Sequence, residues 1–408
     1  MAEKAREYPE LRFQGFSGAW EKRKLGKLVG GLTDGDWIEK DHIFEDGKYR
    51  IIQTGNIGIS EYLNKVNNAK YLNQIDFDEL SANEIFPGDI LISRLAEPAG
   101  RATVLPDIGF PMVTAVDVAI ARPSDTYSVS FVVSEINSER VLRIISDKAT
   151  GSTRKRISRK NLENIELRVT NLEEQHKIGT FFAKIDKLIT VNQRKLNALK
   201  KLKRAYLQKM FPKNGVSIPE LRFAGFTTAW EKRKLGDIAT FNPVSKIPNR
   251  FEYVDLESVV GTEMVFHRTE LKENAPSRAQ RLAVRGDLFF QTVRPYQKNN
   301  YLFDLPDKNY VFSTGYAQIR PMYSGYFLLA MVQRTEVVNK VLERCTGTSY
   351  PAISSKDLSE LQILIPPSDE QIKIGSFFKS LDELITVNQR KLDKLKELKK
   401  GYLQKMFI

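Results

Sequence analysis

Residues 173–211 read EEQHKIGTFFAKIDKLITVNQRKLNALKKLKRAYLQKMF, and residues 369–407 read DEQIKIGSFFKSLDELITVNQRKLDKLKELKKGYLQKMF. The two stretches share 27 of 39 positions at an offset of 196, and neither contains proline. In the first, Ile178, Ile185, Asn192, Leu199 and Tyr206 recur every seven residues, with Leu188, Leu202, Ile189, Leu196 and Met210 on the flanking stripe. Ile374, Leu381, Asn388, Leu395 and Tyr402 repeat the pattern in the second. A heptad sustained over four repeats predicts a coiled coil, and the simplest partner for each helix is the other. A single apolar stripe packed on a globular core is the alternative. Asn171 with Glu174, and Ser368 with Gln371, read as capping boxes where each helix starts. Asn192 and Asn388 occupy equivalent seam positions, where a buried Asn fixes helix register at some cost in stability. At the edge of the seam the same residues would simply be solvated.

A second repeat lies outside the first. Residues 9–28 read PELRFQGFSGAWEKRKLGKL and residues 219–238 read PELRFAGFTTAWEKRKLGDI, with 15 of 20 positions identical at an offset of 210. Between the repeated blocks the halves hardly match. A skeleton survives in Gly88-Asp89 against Gly286-Asp287, and in Thr150-Gly151 against Thr346-Gly347. The layout is therefore conserved segment, variable domain and conserved helix, twice over. The boundaries are an N-terminal segment 1–20, a variable domain 21–170, a helix 171–212, a repeated linker 213–230, a variable domain 231–367 and a C-terminal helix 368–408. Strands are expected at 49–53, 90–93, 116–121 and 165–169, and at 251–256, 288–291, 310–313 and 361–365. Helices are expected at 131–145 and 326–342. Both variable domains thus read as mixed α and β.

Composition narrows the function. The 408 residues carry 63 Lys and Arg against 50 Asp and Glu, a net charge of +13, which favours a polyanionic partner. The longest pure apolar run, 327–332, is far short of a membrane span, and the charged N-terminus shows no signal peptide. One cysteine, Cys345, excludes an intramolecular disulfide and suits a cytoplasmic location. With His42, His176 and His267 scattered, no zinc-ligand spacing and no metal site is legible. No phosphate-cradling glycine loop and no dinucleotide fingerprint occurs. Pro366-Pro367 lacks the polar neighbour a base methyltransferase needs and reads as a rigid approach to the second helix. Asp255 and Glu257 would share one face of a strand, but no lysine follows at nuclease spacing. No catalytic residue is identified.

What remains is polar and basic loop chemistry. The first variable domain offers Gln53, Thr54 and Asn56, then Ser93, Arg94 and Arg101, then Arg154, Lys155 and Arg156. The second offers Gln291, Thr292, Arg294, Tyr296, Gln297 and Lys298, with Tyr350 beyond. Arg pairs bidentately with guanine and Gln or Asn with adenine, while Lys and Arg also hold phosphates. Arg94 and Arg294 are read as equivalent strand-end positions after the Gly-Asp turns.

The doubled PELRF-x-GF…AW-EKRKLG segment and the doubled EQ-x-KIG…LITVNQRKL…YLQKMF helix resemble specificity subunits of type I restriction–modification systems. The resemblance covers nearly the whole chain and is weakest in the variable domains. It implies an α+β chain with two mixed α/β target recognition domains, separated by two long conserved helices that form an antiparallel coiled coil, in an internal pseudo-two-fold repeat. It also implies a non-catalytic role, in which each domain reads one half of a bipartite DNA site and the helices set the gap. Partners would be double-stranded DNA, two methyltransferase subunits and motor-nuclease subunits. S-adenosylmethionine, ATP and Mg²⁺ would belong to those partners, with no cofactor on this chain. A freestanding two-module DNA-binding regulator remains the alternative at this level, as does a nuclease of unrecognised motif.

Overall fold

The computed structural model describes residues 8–151, 155–213, 215–306 and 309–407. These form two compact units, one of residues 1–194 with 390–408 and one of residues 195–389. Each unit takes about half of each long helix, so the units do not follow the segmentation of the repeats.

In the first unit, β1 (Glu21–Lys24) leads into α1 (Leu25–Leu28), then β2 (Thr33–Asp34) and β3 (Tyr49–Ile52). β4 (Tyr71–Leu72), α2 (Gln74–Glu79), β5 (Glu84–Ile85), β6 (Ile90–Ser93), β7 (Ala102–Val104), β8 (Met112–Thr114) and β9 (Val118–Ala121) follow. The unit continues through α3 (Val129–Ile136), α4 (Glu139–Lys148), α5 (Arg159–Glu163) and β10 (Glu166–Val169) into α6 (Leu172–Lys209). Two four-stranded sheets form, in the orders β2-β9-β6-β7 and β4-β3-β8-β5. β3 and β8 are parallel and every other pair is antiparallel. β6 and β9 are buried on both faces, which is why their sequences, ILIS and VAIA, run apolar without alternation.

The second unit contains β11 (Glu231–Lys234), β12 (Ala239–Phe241), β13 (Arg250–Val254), β14 (Val259–Val260), β15 (Glu263–Met264) and β16 (Arg268–Leu271). β17 (Ala279–Leu282), β18 (Leu288–Gln291), β19 (Tyr301–Leu302), β20 (Tyr310–Ser313) and β21 (Tyr316–Pro321) follow, then α7 (Gly325–Val332), α8 (Thr335–Leu342), α9 (Ser355–Ser359), β22 (Gln362–Ile365) and α10 (Ser368–Met406). Its sheets, β12-β21-β18-β19 and β16-β13-β20-β17, repeat the first unit strand for strand, down to the parallel β13–β20 pair. The same topology therefore stands on two sequences that hardly match.

Within each unit the long-helix segments run antiparallel. In the first, Phe181 packs on Tyr402 with centroids 5.0 Å apart, and Asp186 meets Lys399 at 2.5 Å. In the second, Tyr206 packs on Phe377 at 4.9 Å and Lys203 meets Asp382 at 2.5 Å. Phe407 closes the first core against Trp20, Phe131 and Phe182, and Phe211 closes the second against Trp230, Phe327 and Phe378. Each buried Phe contributes roughly 1.5–3 kcal/mol. The segment before β11, expected as a linker, anchors Trp230 in this core and sends Arg222 to Glu370 in two 2.7 Å bonds. Arg12 and Glu174 repeat that buried pair in the first unit.

Several local expectations need correction. Leu188 and Leu202 are 50% and 43% exposed, so they lie off the seam, which also admits the pairs of Asp186 and Lys203. The helix expected at 131–145 breaks at Asn137-Ser138. Ser138 caps α4 through Val141 N, and the Asn137 amide bonds Ala102 on β7. The helix expected at 326–342 breaks at Gln333-Arg334, where Gln333 and Lys298 exchange side-chain-to-carbonyl bonds. Asn171 accepts from Glu174 N at 2.9 Å as a cap should, while the Glu174 carboxylate goes to Arg12 and Thr170. Ser368 is already helical, and its capping role passes to Pro367, whose carbonyl accepts from Gln371 N at 3.0 Å. Asp255 and Glu257 follow β13 in a turn, with Asp255 bonded to Ser258 and Arg268.

Candidate nucleic-acid interface

One end of the first unit gathers the loops after β3 and β6, the β8–β9 turn and the stretch before α5. Thr114 Oγ1 donates to Ile52 O at 2.7 Å, Arg94 N to Asp117 O at 2.8 Å, and Ile157 N to Arg94 O at 2.9 Å. Arg156 Nε donates to Asp117 Oδ1 at 2.7 Å and Lys155 Nζ to Ser146 Oγ at 2.9 Å. The second unit builds the same end. Thr292 N donates to Gly315 O at 3.0 Å and Ile353 N to Thr292 O at 3.0 Å. The residue that matches Arg94 in this network is therefore Thr292. Arg294 lies two positions further on, so the expected equivalence of Arg94 and Arg294 does not hold.

The candidate residues separate by burial. Ser93, Arg94 and Asn56 are buried, as are Gln291 and Thr292. The Arg94 guanidinium donates to Val116 O at 2.5 Å and stands 3.2 Å from Asp34. Asn56 bonds Gln53 N and Leu63 O, each at 2.9 Å. Thr292 Oγ1 donates to Gly315 O, and Gln291 Nε2 donates to Val293 O and Gln297 Oε1. These groups brace the loops from within. Exposed or half-exposed at the ends are Gln53, Thr54, Arg101, Lys155 and Arg156 in one unit, and Arg294, Tyr296, Gln297, Lys298 and Tyr350 in the other. Arg154 lies outside the described residues.

Two features concentrate chemistry here. Arg294 adopts φ 55° and ψ 54°, and its guanidinium lies 4.4 Å over the ring of Tyr350, which is 63% exposed. Lys298 is also left-handed at φ 58°, and its ammonium bonds Gln333 O at 2.9 Å, at the C-terminal end of α7. Arg101 is half-buried, its Nε has no partner, and burial lowers its pKa. Arg281 on β17 has the same character and was not singled out from sequence, because one arginine in a strand carries no spacing signal. Unpaired, partly desolvated guanidiniums and a stacked Arg–Tyr pair suit base edges and phosphates.

Asn192 and Asn388 are buried, and each amide donates to the carbonyl one turn back, Leu188 O and Leu384 O, at 2.7 Å. Among the described residues, His42, Asp76 and Glu79 bring possible metal ligands within 4.8 Å of one another, and His42 Nδ1 is hydrogen-bonded to Asp76 Oδ1 at 2.5 Å. Among these residues no helix is long and apolar enough to cross a membrane.

Comparison with known proteins adds the lineage. The model of the type I restriction modification DNA specificity domain matches residues 18–201 and 228–397. The chain is 22% identical to the type I restriction enzyme MjaIX specificity subunit of Methanocaldococcus jannaschii, over 95% of this chain and 92% of that one. It is 25% identical to the HindI specificity subunit of Haemophilus influenzae over 44% of this chain and 41% of that one. Among solved structures, the S subunit of the type-I restriction-modification system of M. genitalium superposes with a TM-score of 0.67 at 17% identity, over 98% of this chain and 99% of that one.

Proposed function

The chain belongs to the type I restriction–modification DNA specificity family and recognises DNA sequence as a specificity subunit, and we propose that each of its units reads one half of a split DNA site on behalf of subunits that do the chemistry. One observation carries this reading. The four-stranded sheets of the two units share one topology strand for strand, yet their loop ends carry different side chains, Arg101, Lys155 and Arg156 against Arg294, Tyr296 and Tyr350. A common scaffold with divergent ends is what two different half-sites require. In this reading the chain acts in the cytoplasm, has no catalytic residues and binds no cofactor. S-adenosylmethionine, ATP and Mg²⁺ sit on methyltransferase and motor-nuclease partners, and the chain is needed for both modification and restriction.

The long helices support the partner half of the proposal. Leu188 and Val191 are 50% and 52% exposed, and their repeats Leu384 and Val387 are 43% and 60% exposed. Identical apolar pairs left in solvent on both helices suit two copies of one partner. In the same reading the helices set the gap between half-sites, with Asn192 and Asn388 holding register. A freestanding regulator has no use for these repeated apolar positions.

The test is a domain exchange. Replacing residues 231–364 with the corresponding domain of a relative, in cells that supply the methyltransferase partner, should change one half of the methylated motif. The other half should stay as it was. A motif that changes in both halves, or methyl transfer by the purified chain alone, would refute the proposal.

A further inference from the structure

Away from the loop end, the second unit contains a cavity of about 340 Å³ whose charged side chains are mainly basic. It opens between the stretch after α6, the start of α8 and the β11–β22 pair, and Lys213, Lys232, Arg334 and Lys340 line it with a single carboxylate, Glu336. The Arg334 side chain is only 9% exposed. It donates to Pro212 O at 2.9 Å, lies 5.0 Å over the Phe211 ring and stands 3.6 Å from Glu336, but its Nε has no partner. Burial lowers its pKa and Glu336 offsets this only in part, so the charged form is incompletely compensated. Lys213 pairs with Glu220, whereas Lys232 and Lys340 make no ion pair among the described residues.

The first unit provides an internal contrast. A cavity of the same volume lies in the matching place, lined by Lys22, Arg140, Lys148 and Arg168 with Glu166. There the buried Glu135 carboxylate neutralises Arg140. The repeat offset of 196 puts Met331 where Glu135 stands and Gln362 where Glu166 stands, so both acids of the first cavity are missing from the second, whose one lining carboxylate is the partly exposed Glu336, 3.6 Å from Arg334. A buried, incompletely compensated guanidinium flanked by two unpaired ammoniums matches a compact group carrying about two charges and several acceptor oxygens.

We propose that the cavity of the second unit binds a phosphate group and that its counterpart in the first unit does not. The phosphate could come from a free phosphate compound or from the backbone of duplex DNA. This proposal does not depend on which bases the loop ends read.

Calorimetric titration of the full-length chain with inorganic pyrophosphate, and binding of non-specific duplex DNA over a salt series, separate these sources. Three proteins are compared: the parent chain, K232Q/K340Q, and K22Q/K148Q as control, each checked for an unchanged melting profile. Pyrophosphate binding that weakens at least tenfold in K232Q/K340Q and persists in the control supports a free phosphate compound. No pyrophosphate binding, with a salt slope lowered by about 1–2 in K232Q/K340Q alone, supports a backbone phosphate. The proposal is overturned if K232Q/K340Q changes neither measurement, or if the control changes them as much.

Discussion

Arg294 holds a left-handed backbone that costs a non-glycine residue about 1–2 kcal/mol, and it places its guanidinium over an exposed tyrosine ring. Strain of this kind persists where the surroundings impose it, and here Arg294 N is held by Pro351 O at 2.8 Å. Arg294→Ala should cost about 1–3 kcal/mol of DNA affinity, concentrated at one position of the second unit's half-site. Tyr350→Phe should keep the stacked geometry and Tyr350→Ala should lose it, which methylation-motif mapping would read. Arg94→Ala belongs to a different class. Its guanidinium is buried against Val116 O and Asp34, so the substitution should lower the melting temperature of the chain without narrowing its effect to one base. His42 gives a pH-dependent counterpart. Its pKa is raised above 6.5, first by the hydrogen bond it donates to the Asp76 carboxylate. A raised folded-state value means the stabilisation is complete below about pH 6.5 and fades as pH climbs through the raised value. His42→Asn should flatten that part of the stability profile, and an unchanged slope in thermal melts from pH 6 to 8 would remove His42 as its source.

At the scale of elements, the KIG motif in each long helix has a steric cause. A Cβ on Gly179 would lie 2.7 Å from Phe131 N and 2.8 Å from Ser128 Oγ, where α3 begins. Gly375 meets Ser324 and Phe327 at the start of α7 in the same way. Gly179→Ala gains helix propensity of roughly 1 kcal/mol in isolation, but the helix ends must separate to admit the methyl. The net effect should be destabilisation of about 1–3 kcal/mol, seen as a lower denaturation midpoint. A midpoint that rises would show that the contact yields freely. The exposed helix positions behave differently, because nothing within their own unit packs on them fully. Leu188→Asp with Leu384→Asp should leave the melting profile within about 0.5 kcal/mol of the parent. The same pair should abolish co-purification with the methyltransferase partner, and retention of that partner would move its docking surface elsewhere.

For the whole molecule, the doubled blocks alone determined that there are two similar halves, that each contributes a long helix, and that a variable α and β domain lies between blocks. Those conclusions rest on identity at fixed offsets and on a period carried by contiguous residues, so no tertiary information is needed. Most strands were legible for the same reason, since ILIS at 90–93 and LFFQ at 288–291 are local apolar runs. The loop ends were legible as polar and basic stretches, but not residue by residue. Whether Arg94 faces solvent depends on Asp34 and Val116, 60 and 22 positions away, and those distances leave no trace in local pattern. The heptad likewise could not show that Leu188 is exposed while Lys399 is buried against Asp186, because a seam is defined by two helices together. Only the tertiary structure decided that each core is closed by the aromatic end of a helix that began in the other repeat, Phe407 in one unit and Phe211 in the other. Antiparallel pairing carries each helix end to the start of its partner, and a residue's neighbours across that pairing are set by packing rather than by sequence order.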